Sequence, residues 1–395
     1  MQVHLDYRKR IEGFQARLRE RGVDVLVGTR LNTVTHISGG FVPWRSAVVV
    51  PAEGGVENVR LVTLLLDYGR LAQESWLTDV VMYGGPGMML MDVVAQAVRE
   101  KGCAEGTVGI ESGSSAYLPD GFITLEEHES LRALLPKAKL VNANDVIERA
   151  TLIKEPGEIA LLQQAAAICD MAQEAVAENL HVGITEQEIA AIAEGVMREA
   201  GSEFGWSFTG GQEVASGYRT AYPLGGCTPA TGKRVQRGEP VLVDLHAMYG
   251  LMLGDVAHNY VLGEPSGELS EVIEAYTHTS NYLVAEMQPG RSLGEVAQAV
   301  ASFVGEHGWS EWVLPGYGHG IGHFGHEWYP CVMQFPIANN TQPDYILEPG
   351  YVQEIAIVCN RPGVGGFRLE RPLLVTETGN RLLSATDIEP KVIDI

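Results

Sequence analysis

Four acidic residues stand inside segments that are otherwise apolar and strand-like. Asp244 and Asp255 belong to PVLVDLHAMYGLMLGDVAHNYVLG, and Glu354 and Glu370 belong to PGYVQEIAIVCNRPGVGGFRLERPLLV. Burying a carboxylate costs free energy unless a cation or another partner neutralises its charge. We therefore expect these carboxylates to hold a cation, with one pair of ligands supplied by each segment.

Three histidines lie between these two segments, in the glycine-rich sequence GYGHGIGHFGHEWYP, which we interpret as a loop. They are His319, His323 and His326. Hard carboxylates combined with imidazole favour Mn, Fe, Co or Zn over the thiolate ligands of a structural site. The residue types and their spacing thus predict a metal centre that could support catalysis.

The elements that position these residues can be predicted from the apolar pattern. Each acidic pair is expected on a β-hairpin. Upstream, helix-like and strand-like segments alternate, as in an α/β domain, and the expected strands are VDVLVGT, SAVVVP, RLVTLLL, TVGIE and KLVNA. A long helix should begin at Glu155-Pro156, because proline is favoured in the first turn of a helix. We place the domain boundary just before it, with an α/β domain over residues 1–150 and a second domain over 151–395.

The second domain contains a weak internal repeat. The segment AENLHVGITEQEIAAIAEGVMREAG resembles AEMQPGRSLGEVAQAVASFVGEHG, which follows later in the chain. Both copies carry a capping box, formed by Thr185 with Glu188 and by Ser292 with Glu295. Together with the two hairpins, this repeat predicts a duplicated α+β unit.

Composition and charge exclude several classes of protein. With 45% hydrophobic and 20% charged residues, the chain has the composition of a globular protein. Its formal net charge of -22 would be repelled by nucleic acid and by anionic membrane surfaces, so neither is an expected partner. No apolar run approaches the roughly 18 residues of a membrane helix, and the N-terminal segment has no signal-peptide core. The five cysteines lack CxxC spacing, so we expect reduced thiols and a cytoplasmic location.

Several short motifs match one known family in the same order along the chain. They are Asp244, the eleven-residue step to Asp255, GHGIG around His319, HE at His326-Glu327, and GGFRLE ending at Glu370. With these motifs the chain resembles the pita-bread metallopeptidases, which include methionine aminopeptidase, aminopeptidase P, prolidase and creatinase. The resemblance implies an α+β fold, with a C-terminal pita-bread domain of pseudo-two-fold symmetry. The α/β domain before it resembles the N-terminal domain of creatinase and prolidase.

The resemblance also implies a role for each ligand position. Asp244 would bind one divalent ion, Asp255 and Glu370 would bridge two ions, and His319 would bind the second. His326 would hydrogen-bond the substrate or stabilise the tetrahedral intermediate. Two neighbouring divalent ions can lower the pKa of a bridging water and polarise an amide carbonyl, while a carboxylate transfers a proton to the leaving nitrogen.

The remaining glutamate of the family is missing from its usual place. Counting from Gly350, Ala356 stands where the family has that glutamate, and Glu354 lies two residues earlier on the same strand face. Glu354 is expected either to recover the ligand and proton-transfer roles or to miss the metal by one strand repeat, roughly 7 Å. The expected cofactor is thus two divalent ions, with one ion or none as the alternative because of Ala356.

Three further positions depart from the family. The substrate-side histidine falls on Cys227, which would act as an acid, base or nucleophile if its pKa is depressed, and otherwise as a small buried apolar filler. His246 stands two residues after Asp244 on the same strand face, so it is a possible substitute ligand or proton shuttle, or else a hydrogen-bonded residue outside the site. His258 stands where the peptidases have arginine, and it is a candidate for the same roles.

Three residues are candidates for substrate binding. Trp44 and Arg45 precede a strand in GGFVPWRSAVVVP, where creatinase-like proteins place an arginine that reaches the partner subunit's pocket. Arg45 would bind a substrate carboxylate through two hydrogen bonds, or else remain a solvated loop residue. Arg368 in GGFRLE matches a family arginine and is expected to orient either the metal ligands or the substrate.

The retained metal-ligand set favours a metal-dependent hydrolase that resembles Xaa-Pro dipeptidase and aminopeptidase P and cleaves an amide bond with a metal-activated water. The alternative is a small-molecule C–N hydrolase or lyase of the creatinase or ectoine hydrolase type, with reduced or no metal dependence. A non-catalytic binding protein is disfavoured, because buried ionisable ligands cost stability. We expect a homodimer that acts on a dipeptide or another small molecule.

Overall fold

The computed structural model of the chain divides into two compact units. One unit ends at Thr151, and the other extends from Leu152 to Ile395. The described residues are 5–113, 121–205, 211–222, 226–314, 316–327, 329–332 and 344–395. None of the helices within these ranges combines the length and the apolar composition that crossing a membrane requires.

The N-terminal unit is built on a mixed sheet. Its strands are β1 (Val25–Gly28), β2 (Ala47–Pro51), β3 (Arg60–Leu64), β4 (Asp79–Tyr83), β5 (Thr107–Ile110) and β6 (Lys139–Asn142). They are hydrogen-bonded in the order β4-β3-β2-β1-β5-β6. The helices are α1 (Tyr7–Glu20), α2 (Leu31–Ser38), α3 (Tyr68–Glu74), α4 (Leu90–Glu100), α5 (Leu125–Leu134) and α6 (Asn144–Ala150), with a 3₁₀ turn at Val56–Asn58.

Helices cover both faces of this sheet. Apolar side chains of α1, α2 and α6 form one core, and those of α4 and α5 form another on the opposite face. All of β1 is buried, as is typical of a strand covered on both sides. The five expected strands are confirmed. The edge strand β4 was missing from the prediction, because it is only half-buried and its apolar pattern is correspondingly weak.

The C-terminal unit combines long helices with a larger sheet. Its helices are α7 (Pro156–Asn179), α8 (Glu186–Glu199), α9 (Gly267–Glu286) and α10 (Leu293–Glu306), with a 3₁₀ turn at Gly217–Ala221. Its strands are β7 (Glu213–Ser216), β8 (Pro240–Tyr249), β9 (Met252–Leu262), β10 (Gly318–Gly322), β11 (Gly325–Glu327), β12 (Val352–Arg361), β13 (Gly365–Thr376), β14 (Gly379–Leu382) and β15 (Lys391–Ile393).

The order of the strands brings the two halves of the repeat together. The described strands follow one another as β11-β10-β12-β13-β9-β8-β7, with β14 beside β13 and β15 beside β9. Both predicted hairpins are confirmed, one formed by β8 and β9 and the other by β12 and β13. The two predicted capping boxes begin α8 at Thr185 and α10 at Ser292. The β9–β13 pairing joins the hairpins, so their acidic residues share one sheet.

The interpretation of the histidine-rich segment as a loop is wrong, because this segment forms the hairpin of β10 and β11. Its glycines allow neighbouring strands to approach closely. A Cβ atom on Gly318 would overlap the carbonyl oxygen of Glu354, and one on Gly320 would overlap that of Glu327. The glycines therefore allow this hairpin to pack into the sheet, with His319 on β10, His326 on β11 and His323 between the two strands.

Helix α7 supports the first acidic hairpin. As predicted, it begins after Glu155, with Pro156 in its first turn. The Gln173 side-chain amide donates to the carbonyl oxygens of Val243 on β8 (3.0 Å) and Val256 on β9 (2.9 Å). Gly254 lies so close to the helix that a Cβ atom there would overlap the Ala165 carbonyl group. The hairpin is thus held against the helix by hydrogen bonds and by close packing.

Candidate metal centre

The strand register brings the polar side chains of β8, β9 and β13 to one face of the sheet. His246 lies directly opposite Asp255, and Asp244 lies opposite Ala257. Glu370 pairs with Ala257 from the other side of β9. Directly paired residues of antiparallel strands point to the same face. Asp244, His246, Asp255 and Glu370 therefore converge.

These four side chains are spaced as metal ligands. One ligand atom of each lies within 4.8 Å of those of the other three. The His246 Nε2 atom is 3.4 Å from Asp255 Oδ1 and 4.0 Å from Asp244 Oδ1. Asp244, His246 and Asp255 are almost completely buried. The arrangement is a compact group of hard ligands screened from solvent.

Two carboxylate oxygens of this cluster fit a bound cation. Among the described residues, Asp244 Oδ1 and Asp255 Oδ1 have no hydrogen-bond partner, although both are buried. An unsatisfied buried oxygen costs free energy, and a divalent ion between the two aspartates would satisfy both. The residues therefore fit a divalent metal, as the sequence predicts.

Bound protons can neutralise part of the negative charge of the buried carboxylates in this cluster. Burial raises the pKa of Asp255 to about 7, and the neighbouring Asp244 carboxylate adds to this rise. Burial, Asp244 and Asp255 raise the pKa of Glu370 well above its usual value, and the Asp255 and Glu370 carboxyl groups hydrogen-bond to each other. Metal binding must therefore displace a proton from this pair.

Arg368 lies among the carboxylates of this face. Its Nη1 atom donates to Asp244 Oδ2 (2.8 Å) and to Glu213 Oε2 (3.1 Å), and its Nη2 donates to the Gly226 carbonyl oxygen (2.6 Å). Glu213 faces the same way because it pairs with Asp244 across β7 and β8. Of the two expectations for Arg368, these contacts favour the orientation of metal ligands over substrate binding.

His319 and His326 lie beside the cluster. Their rings stack with centroids 3.9 Å apart. The His319 Nδ1 atom lies 2.9 Å from the Gly320 carbonyl oxygen, and burial lowers the pKa of His319 to about 4. The His326 Nε2 atom lies 3.0 Å from Asp255 Oδ2. Burial and the neighbouring His319 and His246 rings lower the pKa of His326 well below its usual value, so both imidazoles are neutral at pH 7. His326 contacts the Oδ2 atom of Asp255, whereas His246 faces Oδ1.

Glu354 is fully buried and lies two residues before Ala356, the position that holds the ligand glutamate in the family. It pairs with His319 on β10, whereas Ala356 pairs with Glu370 on β13. Neither Glu354 oxygen has a hydrogen-bond partner among the described residues. Burial, with the Asp255 and Asp244 carboxylates, raises the pKa of Glu354 well above its usual value. In the described part of the chain, the clusters of ligand atoms within 4.8 Å include neither Glu354 nor His319.

Cys227 does not meet the condition set for a catalytic thiol. Its residue is exposed, but partial burial of the thiol and the nearby Glu213 carboxylate raise the pKa of Cys227 to about 12. A nucleophilic cysteine requires a depressed pKa, since the thiolate is the reactive form. The catalytic role is therefore disfavoured, and the alternative of a buried apolar filler is wrong as well, because the residue is exposed.

Trp44 and Arg45 lie in the N-terminal unit. Half of Trp44 is exposed. The Arg45 guanidinium donates to both carboxylate oxygens of Glu127, at 2.8 and 2.6 Å, and to the carbonyl oxygens of Thr29, Gly121 and Phe122. Arg45 is therefore engaged within its own unit and is not a solvated loop residue. The predicted substrate-binding role of both residues remains a prediction.

Two other histidines lie outside the cluster. His258 pairs with Val243, so it points to the opposite face of the sheet from Asp255. Burial, Arg371 and Lys391 lower the pKa of His258 to about 3. His323 places its Nε2 atom 3.2 Å from Glu158 Oε1 on α7. The proposal of His258 as a replacement ligand is wrong, because strand alternation directs its ring away.

Sequence reasoning missed two charged groups near the site. Glu213 on β7 receives the Arg368 hydrogen bond described above. Lys154 Nζ forms a buried ion pair with Glu327 Oε2 at 2.6 Å, next to His326 in the chain. The sequence QEVAS could have indicated Glu213 as a site residue, because there too an acidic residue interrupts a strand-like segment. Lys154 has no such signal, since its partner is distant in sequence.

Known protein families match both parts of the chain. The model of metallopeptidase family M24 matches residues 160–377, and that of the creatinase/prolidase N-terminal domain matches residues 10–153. The chain belongs to metallopeptidase family M24. Membership confirms the predicted family and hydrolase class, and it implies a divalent metal cofactor.

Individual M24 relatives are similar over most of their length. A Xaa-Pro dipeptidase of Pyrococcus horikoshii is 32% identical over 282 residues, which span 71% of this chain and 75% of the relative. A Xaa-Pro dipeptidase of Pyrococcus furiosus is 30% identical over 283 residues, 72% of this chain and 75% of the relative. The solved prolidase structure from Pyrococcus horikoshii has a TM-score of 0.79 at 26% identity, over 96% of this chain and 99% of that chain. The predicted pita-bread fold with its creatinase-type N-terminal domain is confirmed.

Proposed function

We propose that this M24 protein is a metal-dependent hydrolase that cleaves Xaa-Pro dipeptides, as the names of its relatives indicate for them. The observation that carries the proposal is the buried cluster of Asp244, His246, Asp255 and Glu370. Two aspartate oxygens of this cluster have no hydrogen-bond partner in the described part of the chain. Such oxygens are the hard ligands that a divalent ion prefers.

The ligand set explains what this face could do chemically. When bound, a divalent ion lowers the pKa of a coordinated water and polarises a substrate carbonyl. Asp244, Asp255 and Glu370 would hold it, with an imidazole from His319 or His246. Arg368 would orient the ligands, because its Nη1 atom hydrogen-bonds Asp244.

Two other buried groups would act on the substrate. The neutral His326 would donate a hydrogen bond to the substrate carbonyl or to the tetrahedral intermediate. Glu354, whose raised pKa favours its protonated form, would transfer a proton to the leaving nitrogen. The leaving proline nitrogen accepts this proton as the amide bond breaks. We further propose Mn, Co, Fe or Zn as the metal and a cytoplasmic homodimer as the working form.

A second candidate function is a small-molecule C–N hydrolase or lyase. Two observations favour it. Ala356 takes the place opposite Glu370 where the peptidases supply a carboxylate, and Cys227 takes the place of their substrate-side histidine. A pocket altered at both positions could accept a compact amide in place of a dipeptide.

The test compares substrates on protein reconstituted separately with Mn, Co, Fe and Zn. Ala-Pro, Ala-Ala, creatine and the cyclic amidine ectoine are assayed side by side. We expect a kcat/KM for Ala-Pro at least about tenfold above that for Ala-Ala, and no hydrolysis by Asp255→Asn. Turnover of creatine or ectoine without turnover of the dipeptides would replace the proposal by the second candidate. Unchanged Ala-Pro hydrolysis by Asp255→Asn would overturn metal dependence.

A further inference from the structure

We infer that the chain holds one divalent ion, bound by Asp244, His246, Asp255 and Glu370, and that His246 supplies its nitrogen ligand. The inference rests on the proposed metal-dependent function, and it specifies the number of ions and the histidine. It distinguishes the two strands that could provide imidazole, since His246 lies on β8 and His319 lies on β10.

His246 is held in position to bind. Its backbone N–H donates to the Gln212 side-chain oxygen at 2.6 Å, and its residue is only 2% exposed. The Nε2 atom points at the Oδ1 atoms of Asp244 and Asp255, the two oxygens that have no hydrogen-bond partner among the described residues. A buried imidazole that faces two unsatisfied carboxylate oxygens provides a large part of a coordination shell before any ion arrives.

The opposite side of the cluster lacks a second carboxylate, because the described group there joins Asp255 only to His246 and His326. The residue that pairs with Glu370 on β12 is Ala356, whose methyl group cannot coordinate. Glu354, the nearest carboxylate on that strand face, lies one strand repeat away, opposite His319. In the described chain, no group of ligand atoms within 4.8 Å joins Glu354 or His319 to Asp255 and Glu370.

The two carboxylate oxygens of Asp255 face different histidines, one toward β8 and the other toward β11. Its Oδ1 atom faces His246 at 3.4 Å, while its Oδ2 atom lies 3.0 Å from His326 Nε2. An aspartate that bridges two ions needs one oxygen for each. Here the second oxygen contacts His326, and the described group around it joins Asp255 to two imidazoles without a second carboxylate, so the β8 side has the fuller ligand set.

The test uses manganese alone and needs no substrate. Metal content is measured by elemental mass spectrometry, and the bound Mn²⁺ is examined by electron paramagnetic resonance with nitrogen modulation. We expect one ion per chain, the spectrum of an isolated Mn²⁺, and a coupled ligand nitrogen. His246→Ala should lose the nitrogen coupling and weaken Mn²⁺ binding by about 100-fold or more, because loss of a residue that only supports a ligand already costs roughly 10–100-fold.

His319→Ala is the matched control and should keep both the stoichiometry and the nitrogen coupling. Ala356→Glu should raise the capacity toward two ions by restoring a carboxylate opposite Glu370. Two ions in the unmodified protein, or a nitrogen signal lost in His319→Ala but kept in His246→Ala, would overturn the one-ion inference and leave the hydrolase proposal standing. A folded protein that binds no Mn²⁺ would overturn both. One bound ion without Xaa-Pro hydrolysis would overturn only the proposed function.

Discussion

Asp255 and His246 face each other across the β8–β9 hairpin, and Asp255 Oδ1 lies 3.4 Å from His246 Nε2. This contact places a carboxylate beside an imidazole at the centre of the buried cluster. Burial lowers the pKa of His246, but the Asp255 and Asp244 carboxylates more than compensate, so that its pKa is raised. Each group therefore depends on the charge of the other and on any ion between them.

Replacement of Asp255 should remove both metal and activity. Asp255→Asn keeps the shape of the side chain but loses the negative charge. Because loss of a residue that only supports a ligand costs roughly 10–100-fold in metal affinity or activity, loss of this ligand should cost about 100-fold or more. Isothermal titration with Mn²⁺ and a dipeptidase assay measure the two effects. The exposed Glu174→Gln on α7 is the control and should change neither quantity.

Metal should stabilise the protein more strongly as the pH rises. The pKa of Asp255 is about 7 in the metal-free fold, above its ordinary value of 3.8, so the folded state binds the proton more tightly than the unfolded state. The metal-free protein should therefore lose stability as pH rises from about 4 to 7, with a slope of at most about 1.4 kcal/mol per pH unit for this proton.

Metal binding reverses this trend, because the ion takes the place of the displaced proton. Thermal unfolding at pH 5, 6, 7 and 8, with and without Mn²⁺, measures the difference. We expect the metal-induced rise in Tm to grow with pH and to be small at pH 5. A rise that is independent of pH would show that Asp255 is already ionised without metal.

Much of this site could be predicted from the sequence because its ligands interrupt apolar strands. Asp244 and Asp255 belong to one hairpin whose pairing is local, and their common face follows from the turn between β8 and β9. The alternation of apolar and polar residues was sufficient to place them. The same reasoning placed Glu370 on a second hairpin.

The pairing between the hairpins could not be predicted in this way. Glu370 reaches the cluster because β13 pairs with β9, a contact between strands more than 100 residues apart. Register across such a distance depends on packing of the whole unit, which local patterns do not encode. The Arg45–Glu127 ion pair shows the same limit, since nothing near Arg45 in the sequence indicates its partner.

Removal of Arg368 should destabilise the protein strongly. Arg368→Gln would leave Asp244 and Glu213 buried without their cation, and breaking a buried ion pair costs about 3–5 kcal/mol. Urea unfolding of the metal-free protein measures this loss. Arg361→Gln is the control: Arg361 pairs with exposed acidic residues of α9, and such surface pairs contribute at most about 1 kcal/mol. Equal losses in the two variants would contradict the role given to Arg368.

Substitution of the exposed cysteine should have little effect. A thiol with a pKa of about 12 stays protonated at neutral pH, so Cys227→Ser should keep kcat and KM within about threefold of the unmodified protein. Steady-state kinetics with metal analysis measures this directly. A loss of several orders of magnitude in kcat with metal retained would instead identify Cys227 as a catalytic residue.

Close packing of α7 against the first hairpin should be necessary for metal binding. In Gly254→Ala, the new Cβ atom would overlap the Ala165 carbonyl group and push β9 away from the helix. We expect a loss of about 1–3 kcal/mol in the free energy of unfolding, as for other overpacked positions. We also expect weaker Mn²⁺ binding, because β9 carries Asp255.

Gly195→Ala on α8 is the control. Its new Cβ atom would meet open space, and the substitution should stabilise the helix by up to about 1 kcal/mol. Normal Mn²⁺ affinity in a destabilised Gly254→Ala variant would contradict the prediction, because it would show that the ligands keep their geometry without this close packing.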